Sequence, residues 1–304
     1  MADEIPFDRA FNTVPGRVEP VAPGVRRILA PNPGPFTFTG TCSYVIGKGQ
    51  VAILDPGPDD PAHLSALLEA VRGETVAHIL VTHTHRDHST AAAAVRNKTG
   101  GKVLAEGPHR AARPLHRGET NPVEVGADRD FKPDHRLHDG DAVEGPGYVL
   151  EAVATPGHTA NHLAFALRGT NCLFSGDHVM AWSTSVVAPP DGAMGDYVAS
   201  LEKLRARPET IYLPGHGPPV RDAPSFVDRF IAHRNAREAA ILRRLERGEA
   251  DIASLVQAIY IGLDPRLQRA AALTTLAHLE DLVERGRVAT EGAPVLTGRY
   301  RLSR

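Results

Sequence analysis

The run Thr82-His83-Thr84-His85-Arg86-Asp87-His88 sets three imidazoles and a carboxylate within a few residues of backbone. His83 and His85 lie two apart, so on an extended segment they point to the same side. Asp87 and His88 follow where the chain would swing away, and they offer a second set of donors. Ahead of them His78-Ile79-Leu80-Val81-Thr82 reads as a short buried strand, and behind them Ser89 and Thr90 open an alanine run that reads as a capped helix start. The cluster is therefore expected on a strand-to-helix loop, where functional groups are displayed. A solvated polar loop is the weaker alternative, because imidazole is a favoured ligand for zinc and its neighbours.

Further donors follow downstream. Thr155-Pro156-Gly157-His158-Thr159, Ser175-Gly176-Asp177-His178 and Pro214-Gly215-His216-Gly217 each place a ligand-type residue beside a glycine, after the strand-like runs Leu150 to Ala154, Cys172 to Phe174 and Ile211 to Leu213. Each short motif alone reads as a turn; their order after H-x-H-x-D-H is what makes them specific. Seven donors exceed what one tetrahedral or five-coordinate ion can use, so two divalent metal ions are expected. Histidine and aspartate without thiolate suit zinc, iron and manganese, with zinc the first expectation.

In this order the motifs resemble the metallo-β-lactamase superfamily of metal-dependent hydrolases, over about residues 17 to 222, a span that includes Gly40-Thr41 with Tyr44 and Leu54-Asp55-Pro56-Gly57. The resemblance implies an α/β fold, a four-layer αβ/βα sandwich. It also implies that His83, His85 and His158 hold a first metal, that Asp87, His88 and His216 hold a second, and that Asp177 bridges the two. Hydrolysis would then proceed by a hydroxide generated at the metals, with Asp87 and Asp177 as the catalytic carboxylates. Zinc β-lactamases often carry Cys or no bridging carboxylate at the position of Asp177, so an Asp there resembles glyoxalase II and the nucleases, and antibiotic hydrolysis drops in rank. Asp55 is a candidate outer carboxylate for a metal-bound imidazole, with a turn or cap role as its alternative. His162 and His178 adjoin ligand motifs and are expected on the pocket wall. His109, His116, His135 and His138 fall in the irregular stretch 107 to 147, expected at the surface near one mouth of the sandwich, and read as solvated or hydrogen-bonded rather than as ligands.

A chain of 304 residues can hold one large domain and one small one. Met1 to Pro6 carry acids and no apolar core, so no signal peptide is expected. No apolar run approaches membrane-spanning length, and a soluble cytoplasmic protein is the expectation. Cys42 and Cys172 lie in apolar strand-like stretches and predict buried, reduced thiols rather than a disulfide scaffold.

After His216 the texture changes. Ser225 to Arg247, Asp251 to Ile261 and Pro265 to Arg285 have helical spacing, Gly286 stops the last, and Arg287 to Thr290 and Val295 to Leu302 read as short strands. Three helices and a β-ribbon look like a winged helix, which divides the chain into a catalytic domain, 1–222, and a winged-helix domain, 223–304. That order resembles the β-lactamase-like group whose animal relative is a mitochondrial single-strand endoribonuclease, as do Pro190-Asp191-Gly192 and Tyr197 to Leu201. From Arg221 onward the chain has fourteen Arg, no Lys and eleven Asp plus Glu, against a whole-chain net charge of −2. This mild bias falls short of the clustered cations that phosphate binding draws on. The first expectation is thus a binuclear hydrolase acting as an endoribonuclease-like phosphodiesterase on single-stranded RNA. The alternative is a thioester hydrolase resembling glyoxalase II, acting on a small ester or thioester; a nucleic-acid-binding module without turnover ranks below both. No membrane partner is expected, and a homodimer is compatible with a winged helix serving assembly.

Overall fold

A computed structural model describes residues 5–117 and 119–303. Two sheets form the body of the molecule. The first has seven strands in the spatial order β1 (Val18–Ala22), β2 (Val25–Leu29), β3 (Cys42–Lys48), β4 (Gln50–Leu54), β5 (Thr75–Leu80), β6 (Lys102–Ala105) and β7 (His135–Arg136). The second holds β8 (Ala142–Gly145), β9 (Tyr148–Ala154), β10 (Leu163–Leu167), β11 (Cys172–Gly176), β12 (Ile211–Pro214) and β13 (Val220–Arg221), again neighbours in chain order.

Each sheet is covered on both faces, which is why its strands read as continuous apolar runs rather than as alternating ones. Along β4, Ala52 and Leu54 point between the sheets while Val51 and Ile53 point outward; along β10, Leu163, Phe165 and Leu167 point in and Ala164 and Ala166 point out. Outside the first sheet pack α1 (Pro61–Ala70) and, past the single turn α2 (Arg86–Ser89), α3 (Ala92–Thr99), through Leu67 and Val95. Outside the second pack α4 (Met194–Arg205) and the first half of α5 (Ala223–Leu245), through Tyr197, Leu201, Phe226 and Phe230. The small residues Ala164 and Ala166 leave room for these helices. The result is a four-layer αβ/βα sandwich.

The second half of α5 belongs to a different core. Ile241 and Leu245 join Leu255 of α6 (Ile252–Ile259), Leu276, Leu279 and Leu282 of α7 (Gln268–Glu284), and Tyr300. A three-stranded sheet covers them, in the order β14 (Ala250–Asp251), β16 (Arg299–Leu302), β15 (Val288–Thr290). This is the winged helix, with one strand more than the sequence suggested: β14 is two residues long, too short to show any periodicity. α7 also lies on α4, with Ala277 in the core that covers the second sheet. Glu280 pairs with Arg113 from the irregular stretch after β6. That stretch is tied down at several points; Ser89 donates to the Asp128 carboxylate at 2.7 Å, and the Asp128 amide to the Thr84 carbonyl at 2.9 Å. Cys42 and Cys172 are buried and free. Among the described residues no helix is long and apolar enough to cross a membrane.

Strand direction fixes where functional groups emerge. β4 and β5 are parallel, as are β11 and β12, and β9 runs with β11 because both are antiparallel to β10. The carboxyl ends of β4, β5, β9, β11 and β12 therefore meet along one edge of the sandwich. There the sheets are joined: the Tyr44 hydroxyl donates to the Pro214 carbonyl at 2.7 Å, and the Cys42 amide to the Gly215 carbonyl at 2.7 Å. Phe165, fully buried between the sheets, measures how much this packing carries. Phe165→Ala is expected to lower unfolding free energy by about 3–5 kcal/mol, read from urea denaturation; a loss under about 1 kcal/mol would place the ring outside the core.

Candidate metal centre

The donors stand on loops just past those strand ends. β5 runs out through Thr82 into His83-Thr84-His85, and His85, extended at φ −77° and ψ 144°, leads into α2, which carries Asp87 and His88. His158 follows β9, Asp177 follows β11 and His216 follows β12. Two sets of donor atoms result. His83 Nε2 lies 3.0 Å from His85 Nδ1, which lies 3.1 Å from His158 Nε2. Beside them His216 Nε2 lies 3.2 Å from Asp87 Oδ2 and 3.3 Å from His88 Nε2. Asp177 reaches both sets, with Oδ2 at 3.8 Å from His158 Nε2 and 3.4 Å from His216 Nε2, and Oδ1 at 3.5 Å from His88 Nε2.

The opposite ring nitrogens explain why these atoms converge. His158 Nδ1 donates to the Val186 carbonyl at 2.7 Å and His216 Nδ1 to the Gly40 carbonyl at 3.1 Å. A carbonyl only accepts, so both rings carry their proton on Nδ1 and turn Nε2 inward. His88 Nδ1 donates to Asp55 Oδ2 at 2.9 Å. The Thr82 hydroxyl is committed to Asp55 Oδ2 at 2.8 Å, so at 3.0 Å it accepts from His83 Nδ1. Asp55 thus holds His88 directly and His83 through Thr82, and takes the Thr82 amide on Oδ1 at 2.7 Å. Its backbone has φ +49°, a left-handed conformation that Asp tolerates better than most residues.

Electrostatics separate the two sets. Burial, reinforced by neighbouring imidazoles, holds His83 well below its ordinary range and His85 at about 3, and burial lowers His158 too, so the three-histidine set is neutral. In the other set burial also opposes charge, but Asp87, Asp177 and Asp55 outweigh it at His88, and Asp177 and Asp87 push His216 up to about 10. Cations at these sites would take the place of those protons. The donor set fits such cations: His83 and His158 turn unprotonated nitrogens at His85, leaving at most one proton among three atoms, and Asp177 Oδ1 is buried without a hydrogen-bond partner. The triples His83/His85/His158, His83/His88/Asp177 and Asp87/His88/His216 each bring their ligand atoms within 4.8 Å of one another.

Not every residue singled out in the sequence comes to this point. His162 and His178, expected on the pocket wall, are fully buried and do not line the cavity. His162 lies behind the centre, bonded to the Thr155 hydroxyl at 2.8 Å and accepting the Asp177 amide on Nε2 at 3.2 Å. His178, on the far side of the chain from Asp177, packs against Tyr197 with ring centroids 4.4 Å apart and the planes tilted by 39°. His135 and His138 are exposed; the side chain of His109 is buried, between the Thr84 hydroxyl at 3.0 Å and Asp191 at 3.2 Å.

A cavity of about 720 Å³ opens over the donor atoms. His85, Asp87, His158, Asp177 and His216 form its floor. Phe36, Val123, Met180 and Trp182 form one side, and Tyr260, Leu263, Leu267 and Leu273 from the winged helix form another. These wall residues carry no motif; only Trp182, the single tryptophan and close behind Asp177, gave a signal that could have found one of them.

The metallo-beta-lactamase superfamily pattern matches residues 36–216. The chain belongs to the metallo-β-lactamase superfamily. The beta-lactamase associated winged helix domain matches residues 252–298. Among superfamily relatives, the beta-lactamase-like protein 2 homolog of Caenorhabditis elegans is 33% identical over 238 residues, covering 76% of this chain and 74% of that protein. The atrochrysone carboxyl ACP thioesterase AgnL7 of Paecilomyces divaricatus is 29% identical over 236 residues, covering 76% and 67%. The crystal structure of a metallo-beta-lactamase family protein from Thermus thermophilus superposes with a TM-score of 0.74 at 27% identity, over 92% of this chain and 99% of that one.

Two outcomes follow from the anchoring and the burial. Asp55→Ala removes the acceptor of His88 and the tether of Thr82, and is expected to weaken zinc binding about ten- to a hundredfold in a chelator competition while the circular dichroism spectrum is unchanged. Away from the donors, burial lowers His63 to about 4 and, with Arg234 adding to it, His278 to about 3. Below the unfolded value of about 6.5 the unfolded chain takes up protons that these folded residues refuse, so stability is whole above that pH and is lost as pH falls toward about 4. The melting temperature should fall over that window, and His278→Leu should make the fall shallower.

Proposed function

We propose that this superfamily member is a binuclear metal-dependent hydrolase of thioesters with an apolar acyl part. His83, His85 and His158 would hold one ion, Asp87, His88 and His216 the other, and Asp177 both, with zinc the first choice of metal. The observation that carries the substrate class is the cavity itself, whose walls are largely apolar and whose mouth keeps Phe36 and Val125 exposed at 56% and 90%. The thioesterase name of the Paecilomyces relative supports the same reading.

This reverses the order expected from sequence, where an RNA phosphodiesterase stood first. Two observations weigh against RNA. α7 is covered on both sides, by its own core through Leu276 and Leu279 and by the second sheet's helical layer through Ala277, so it offers no helix to a nucleic acid. Of the four arginines at the cavity, Arg266 is paired with Asp264, Arg269 donates to the Pro122 carbonyl at 3.1 Å and Arg234 is buried, so among the described residues only Arg86 stands there exposed and unbonded, short of the cluster a phosphate backbone draws on.

Divalent ions bound by these donors would lower the pKa of a water from about 15.7 toward 7 and polarise the acyl carbonyl. The chain's own residues do the rest. Asp87, one-quarter exposed toward the cavity and fixed by the Thr41 hydroxyl at 3.1 Å, would orient the attacking water by accepting its hydrogen bond. The apolar walls keep other water away from the thioester and hold the acyl chain. We assign the chemistry to residues 1–222 and acyl selection to 223–304, with α5 fastening one to the other.

Zinc-loaded protein assayed side by side on S-hexanoyl-N-acetylcysteamine, a single-stranded RNA oligonucleotide and a chromogenic β-lactam is expected to turn over the thioester, and Asp177→Ala to reduce that turnover about a hundredfold or more. RNA cleavage without thioester turnover would restore the phosphodiesterase reading.

A further inference from the structure

One buried arginine in the cavity wall has no counter-ion. Arg234, near the middle of α5, is 2% exposed. Its Nη2 donates to the Ser185 carbonyl at 2.6 Å, its guanidinium lies 4.9 Å from the centre of the Tyr197 ring, and its Nε is buried without a partner. Among the described residues no carboxylate forms an ion pair with it. The groups packed around it are neutral or basic: burial keeps His233 and His278 each at about 3, and Arg234 pushes both the same way. Arg237 stands one turn further along α5. A guanidinium taken out of water without a partner is expensive to bury, and the customary remedy is an anion.

Its position relative to the metal donors is fixed by consecutive carbonyls. Ser185 accepts from Arg234 and Val186 accepts from His158, and the Ser185 hydroxyl donates to the His178 carbonyl at 2.8 Å, beside Asp177. Arg234 lines the same cavity as His158 and Asp177, together with His233 and Thr274.

We propose that Arg234 is the anion-binding residue of this cavity, receiving a carboxylate or phosphate group of the substrate while the scissile carbonyl lies over the metal donors. The inference rests on the thioesterase reading and narrows it: the substrate carries an apolar stretch and one anionic group, either a carboxylate on the acyl part or a phosphate on the leaving thiol. Arginine suits both, because its planar fork meets two oxygens at once where lysine offers a point charge.

The test compares three thioesters on zinc-loaded protein: S-hexanoyl-N-acetylcysteamine, neutral throughout; S-glutaryl-N-acetylcysteamine, with a carboxylate on the acyl side; and S-hexanoyl-4′-phosphopantetheine, with a phosphate on the thiol side. Wild type is expected to prefer one of the anionic substrates, and the preference that appears identifies the source of the anion. Arg234→Gln should reduce that preference in kcat/KM about ten- to a hundredfold, and Arg234→Lys should keep part of it. No preference in wild type for either anion, or a preference that survives in Arg234→Gln, overturns the proposal. A binding measurement separates its failure from that of the thioesterase reading. Glutarate or inorganic phosphate alone should raise the melting temperature of zinc-loaded wild type and have no effect on Arg234→Gln, whatever the protein hydrolyses; an equal rise in both also overturns it.

Discussion

The bonds that Asp55 makes to His88 and to Thr82 are the constraint on which the centre turns. Five imidazoles and two carboxylates buried together would ordinarily repel, protonate or rotate away. Here the outward nitrogens of four rings are each held by an acceptor, from Asp55, Thr82, Val186 and Gly40. Once those donors are committed, the inward lone pairs have no choice of direction. The same anchoring draws on the ends of β4 and β5 and on the loops before β3 and after β11, so the two sheets must be in register before the donors can meet.

Backbone is brought close at the same edge, and glycine is what permits it. A side chain on Gly215 would place Cβ 2.6 Å from Asp177 Oδ1 and from His88 Cε1. Gly157, at φ +134°, would place its Cβ 2.3 Å from the Tyr197 Cα, so the turn that presents His158 can seat on α4 only without one. The glycines beside the donor residues are thus steric conditions for bringing three loops and a helix to one point.

This accounts for what the sequence disclosed. His83 and His85 were legible through their spacing of two on an extended segment, and His158, Asp177 and His216 through glycine at a strand end. Asp55 was visible only as an equal choice between turn and outer carboxylate; its left-handed backbone lets it serve as both. His162 was misread because proximity in sequence to a ligand says nothing of direction: it immediately precedes β10 and points behind the centre. Arg234 left no signal at all. It is one of several arginines on a 23-residue helix, and only the packing of α5 against α4 distinguishes a buried guanidinium from the exposed ones around it. β14 escaped for want of length.

That packing also bears on what the winged helix is for. α5 is a single helix with its first half in the core over the second sheet and its second half in the core of the tail. A hinge between catalytic and C-terminal parts would have to break it or expose Phe226 and Phe230. The tail is therefore held rigidly over the donors, and Leu263, Leu267 and Leu273 reach the cavity as fixed walls. A module positioned this way supplies part of the wall of the space above the donor atoms, and the contacts of α7 with α4 cover that face of the helix.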